Sequence, residues 1–118
     1  MSDSELLIDV AERLEALARR STPGDWRIGG LLASRPEVIA HASDGATEHV
    51  AEARAASGGW IATLSPAVAE PLAAWLREAA GTQPVPESAR VFAQVLADRM
   101  PEVSRPVRTS WPGPTEVV

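Results

Sequence analysis

Apolar residues recur at the helical interval at the start of the chain. Leu7, Val10, Leu14 and Leu17 form one stripe, with Leu6 beside it. Asp3, Glu5, Asp9 and Glu12 come early and Arg19 and Arg20 late, the order that a helix dipole favours. Ser2 and Glu5 stand at capping-box spacing, where each side chain satisfies an orphan backbone N–H of the first turn. Thr22-Pro23-Gly24 interrupts the pattern, which therefore predicts a helix over 2–20.

The period then shortens. Trp26 to Leu32 is apolar apart from Gly29-Gly30, and Gly in a strand marks a bulge or a close backbone approach. Glu37 to Ala42 and Glu48 to Arg54 flank Ser43-Asp44-Gly45-Ala46, and Asp-Gly between two such runs signals a hairpin. Arg35-Pro36 supplies the preceding turn. Two registers are open. A two-residue loop, Asp44-Gly45, sets His41 opposite Glu48 and brings Glu37 to Glu52. A three-residue loop, Asp44-Gly45-Ala46, sets His41 opposite His49.

Helical spacing returns in the second half. Ser57 to Leu64 carries Trp60, Ile61 and Leu64 on one face, and Ser65-Pro66 reads as an N-cap followed by proline at the first helical position. Val68, Leu72, Trp75, Leu76 and Ala79 form the next stripe, ending at Gly81, with Trp75 expected in the core. Pro71 falls inside that stripe, so the helix either kinks there or begins near Glu70. Pro84-Val85-Pro86 leads to a last helix over 87–100 with Val91, Phe92, Val95 and Leu96 inward. The expected fold is α+β: an N-terminal helix, a two- or three-stranded antiparallel meander, then two or three helices. Residues 1–100 make one domain. Residues 101–118, with four prolines and little periodicity, make an extended tail.

Composition narrows the classes. The 118 residues include 16 acidic and 11 basic ones, a net charge of −5 that does not favour a nucleic-acid backbone or an anionic membrane surface as partner. Cysteine is absent, which removes disulfides, thiolate metal ligands and thiol nucleophiles. No apolar run is long enough to span a bilayer and no signal-peptide pattern opens the chain, so a soluble cytoplasmic protein is expected. Every basic residue is Arg, and Lys, Asn and Tyr are missing altogether. Those three have A/T-rich codons, so a GC-rich genome accounts for the bias and the Arg count is not itself a sign of anion recognition. The charge is uneven: residues 1–57 carry 10 acids against 6 Arg, and 58–118 carry 6 against 5.

Candidate chemistry is sparse. His41 and His49 are the two histidines, and two ligands without a third at a diagnostic spacing make a poor metal site. No nucleophile elbow, phosphate loop or zinc-protease helix is present. No cofactor and no metal is expected. Arg27, Arg54 and Trp60 could line a pocket for a small anion, with His41 and His49 nearby. Trp111, beside Arg105 and Arg108 in the Pro-rich tail, either docks onto the domain or contacts a partner. The Ala-rich helices bury limited area per residue, so self-association is expected to complete the core.

Two patches carry a resemblance. The stretch Ala18 to Trp26, which includes Thr-Pro-Gly-Asp-Trp, is followed by Trp60 to Trp75, which includes Trp-Ile-Ala and a helix after Pro66. This order resembles small accessory proteins of tailed phages and prophages, particularly those of actinobacteria. Gly58-Gly59 replaces the family's acidic-Ala pair. The resemblance implies a context, the cytoplasm of an infected host, and no settled activity. Together with the small size, the acidity and the lack of a catalytic constellation, it leads to the expectation of a non-enzymatic binding protein. Such a protein counters host defence by binding a host protein or by sequestering a small, nucleotide-like anionic signal. Two alternatives stand beside it. One is a nucleic-acid-associated regulator using Arg90, Arg99, Arg105 and Arg108. The other is a small metal-dependent hydrolase built on His41, His49 and nearby carboxylates.

Overall fold

The computed structural model describes residues 1–29 and 36–101. Helix α1 spans Asp3–Arg19, strands β1 Asp25–Gly29, β2 Glu37–His41 and β3 Thr47–Glu52, and helices α2 Ala55–Thr63, α3 Ala69–Ala80 and α4 Glu87–Arg99. The strands form one antiparallel sheet in the order β1-β2-β3. The α+β meander-and-helices architecture is thus the one the hydrophobic pattern predicts. The tail, with Arg105, Arg108 and Trp111, lies outside the described residues.

Local chemistry sets the helix starts. The capping box of α1 is formed on both sides: Glu5 N donates to Ser2 Oγ at 3.1 Å and Ser2 N to Glu5 Oε1 at 2.8 Å. The Ser2 backbone N–H donating to the carboxylate, with the Ser2 side chain adding to it, holds the Glu5 pKa below its ordinary value. Ser65 Oγ accepts from Ala67 N, and Pro66 opens a 3₁₀ turn, Pro66–Val68, that leads into α3. Pro71 is the third residue of α3, where a backbone N–H has no intrahelical acceptor to lose, so the helix proceeds without a break.

Two small cores result. In the helical layer, Leu7, Val10 and Ala11 of α1 pack with Ala73 and Leu76 of α3 and Ala89 and Ala93 of α4, all fully buried. Against the sheet, α2 lays Gly58 over Ile28 and Val38. The inward face of α4 differs from the expected one. Val91, Phe92 and Val95 are 46, 36 and 45 % exposed, and Ala89 and Ala93 face α1 instead. The reason is distance, because α1 already fills the interface with Leu and Val and only small residues let a second helix approach it closely. Trp75 is likewise 44 % exposed, with Leu76 taking the core position. Trp60 and Leu64 of the α2 segment also face solvent.

The hairpin adopts neither expected register. Ala42 N donates to Ala46 O at 2.8 Å around the loop Ser43-Asp44-Gly45, so His41 pairs with Thr47 and His49 with Ile39. Gly45, at φ +90°, takes the loop position that needs a left-handed backbone, and Asp44 Oδ1 accepts from Ala46 N. An irregularity between Val38 and Ile39 then leaves Val50 of β3 as an extra residue and returns Glu37 to Glu52.

Two glycines make opposite predictions. At Gly24, φ is +112° and a Cβ would sit 2.9 Å from the His41 carbonyl oxygen. Gly24→Ala should therefore cost roughly 1–3 kcal/mol. At Gly58 a Cβ would meet Ile28 and Val38 at 3.7–3.9 Å, ordinary contact, within a helix that glycine weakens. Gly58→Ala should add about 0.5–1 kcal/mol. Urea denaturation of the two variants measures both signs.

Candidate functional site

The end of α1 creates the site. Arg13 Nη2 donates to the carbonyls of Ala97 and Met100, each at 3.3 Å, and so holds the last turn of α4 at the middle of α1. Beyond that level the apolar side of α1, Leu14, Leu17 and Ala18, is met instead by Trp26 of β1 and by the segment from Leu64 to Ala69. Between them lies a cleft of about 220 Å³ lined by Leu14, Leu17, Ser21, Trp26, Leu64 and Pro66 among others. It sits on the seam between the helical layer and the sheet.

Its hydrogen-bonding groups are largely engaged within the chain. Ser21 Oγ donates to Leu17 O at 2.8 Å and Trp26 Nε1 to Thr22 O at 2.9 Å. Ser65, 5 % exposed, accepts from Ala67 N and keeps only its own O–H to give. What the cleft offers an incoming group is therefore apolar wall. A polar shelf adjoins it through Ala18, Pro66 and Ala69 and carries Glu15, Arg19 and Glu70. On this rim Arg77 donates from Nη1 and Nη2 to the two oxygens of Glu15, at 2.8 and 2.6 Å. That fork holds the Glu15 pKa below its ordinary value and raises that of Arg77.

The residues singled out in the sequence fall elsewhere. Arg27 pairs across the sheet with Ile39, and its face carries Asp25, Glu37, His41 and His49, while its neighbour Ile28 faces α2. Arg27 is bound to Asp25 at 2.6 Å. Arg54 is the exposed N-cap of α2, and Trp60 is 68 % exposed on that helix, on the other side of the sheet from Arg27. The structure does not bring Arg27 together with Arg54 and Trp60. His41 and His49 do share a face but are offset along it, and His49 Nδ1 lies 2.9 Å from Glu37 Oε2. Among the described residues no group of three or more His, Cys, Asp or Glu could hold a metal ion.

The cleft itself went unread in the sequence. A signal was present: the stripe of α1 continues through Leu14 and Leu17, past the point where a second helix covers it. Trp26 was legible as the start of an apolar strand and Ser65-Pro66 as a cap, and their meeting over that stripe is a long-range event. No family model, curated protein or solved structure matches this chain.

The Glu15–Arg77 fork predicts a pH dependence. Because the native Glu15 pKa is lowered, the pair stabilises the fold above the ordinary value of 4.5, and this contribution fades as pH falls through the native value. Thermal unfolding of the protein and of Glu15→Gln should differ most near neutral pH and converge in acid. A difference that grows on acidification contradicts the assignment.

Proposed function

We propose that the protein is a non-enzymatic binding module whose seam cleft takes an apolar side chain of a partner protein. The observation that carries this is the cleft's chemistry: apolar walls whose polar atoms are nearly all engaged internally. Its size agrees. About 220 Å³ is above the ~150 Å³ that accommodates a benzene ring. One aromatic or branched side chain fits that space, and the charged shelf can contact the polar backbone around it.

The same geometry weighs against capture of a nucleotide-like anion. Such a ligand needs unpaired cations around an aromatic wall, whereas Arg27 is bound to Asp25, Arg77 is taken by Glu15, and on the rim of the cleft Arg19 stands with the acids Glu15 and Glu70. The phage-accessory reading is supported at one further point. The patch from Ala18 to Trp26 contributes Ala18, Ser21 and Trp26 to the cleft, and the patch from Trp60 to Trp75 contributes Leu64, Ser65, Pro66, Val68 and Ala69. Both stretches that carry the resemblance therefore line one site. In this proposal the partner is a host protein met in the host cytoplasm, and defence is the process acted on.

Ala69→Trp fills the cleft and Leu17→Glu charges it. A host protein captured by the unmodified chain should be lost with both variants and kept with Arg27→Ala. Retention by both cleft variants contradicts the proposal. In parallel, a panel of signalling nucleotides in thermal shift should leave the unfolding midpoint unchanged. A ligand bound at 100 times its Kd adds about 2.7 kcal/mol, a shift of several degrees that would turn the reading toward anion sequestration.

A further inference from the structure

The exposed side of α4 carries a pattern that its own fold does not use. Glu87, Val91, Val95 and Arg99 follow one another at intervals of four, which places them along a single ridge of the helix. Val91 and Val95 are 46 and 45 % exposed. Beside them Phe92 meets Trp75 of α3, ring centroids 5.8 Å apart at an interplanar angle of 57°. The four apolar residues expose on the order of 300 Å² together, the size of the largest apolar patch on an ordinary monomer, which is often functional.

The ridge reads acid, valine, valine, base. Turned end for end about Ala93 it meets its own complement: Glu87 falls against Arg99 of the other copy, and Val91 against Val95. Next to the ridge, Ser88 falls against Asp98 in the same way. Because the two-fold axis turns the ridge onto the same ridge of the other copy, the charged ends stay in register with the valines between them. Antiparallel helices also oppose their dipoles favourably. The Arg99 side chain makes no ion pair or hydrogen bond among the described residues. Glu87 is held by Arg90 on both oxygens, Nε donating to Oε1 at 3.0 Å and Nη2 to Oε2, so that Arg99 of the other copy would bind the carboxylate's remaining lone pairs.

We infer that α4, flanked by Trp75, is the interface of a two-fold dimer of this chain. An isologous contact requires a self-complementary patch, and this ridge is one. The exposed apolar area is small beside the ~800 Å² per partner of a standard interface, which places this contact among reversible rather than obligate ones. This surface is separate from the seam cleft and leaves it open.

Sedimentation velocity of the full chain tests the inference, from about 5 to 500 µM. The sedimentation coefficient should rise from monomer to dimer across that range. Val95→Asp should weaken association by at least ~10-fold, and so should Glu87→Arg and Arg99→Glu taken singly. An equimolar mixture of those last two variants should dimerise again, because each carries at both ends the charge that the other opposes. Circular dichroism confirms that the variants keep their helices. A monomer at every concentration overturns the inference, as does a dimer indifferent to Val95→Asp or a mixture that fails to recover.

Discussion

Arg13 secures the end of α4, which stops at Met100 before Pro101, against the middle of α1, and most of the architecture follows from that limit. Its guanidinium bonds the carbonyls of Ala97 and Met100, which a helix C-terminus leaves without partners. Up to that level the apolar face of α1 is sealed by Ala89 and Ala93 from one side and by Ala73 and Leu76 from the other. Past it, Leu14 and Leu17 need other cover. β1 brings Trp26, and the 3₁₀ turn before α3 brings Pro66, but these two do not close the gap. The cleft is what remains when a helical core ends before its central helix does.

Alanine has two consequences here. It lets α3 and α4 approach α1 closely, so the helical layer is tight although its side chains are small. It also displaces the larger apolar residues outward. Val91, Phe92, Val95 and Trp75, which a reading of apolar spacing sends inward, end on the surface because the contact positions are already held by Ala. The exposed ridge of α4 is thus a by-product of how the core is packed.

The parts legible in the sequence were those decided by neighbours in the chain. The Ser2–Glu5 box, the Ser65-Pro66 start and the Gly81 stop place helix ends within a residue or two, since each depends on a few adjacent backbone groups. Which side of α4 faces inward was not legible, because alanine and valine stripes on one helix are equally apolar and only the neighbour's side chains choose between them. The hairpin register turned on the single residue Gly45, whose left-handed backbone moves the loop one position earlier than either expected register. The site was hardest. Arg27, Arg54 and Trp60 are chemically conspicuous but are divided between two sides of the sheet, whereas the cleft is built around Trp26 mostly from small and aliphatic residues that carry no chemical mark.

Methyl and amide chemical-shift mapping with indole as the probe tests the central claim most directly. Indole has the size of one aromatic side chain and carries no backbone, so it isolates the apolar recognition from any particular partner. Saturable shifts confined to Leu14, Leu17, Leu64, Ser65 and Val68, together with the Trp26 side chain, are the expected result. Shifts that do not saturate, or that gather on Trp60 and the open face of the sheet, would contradict an apolar binding site at the seam.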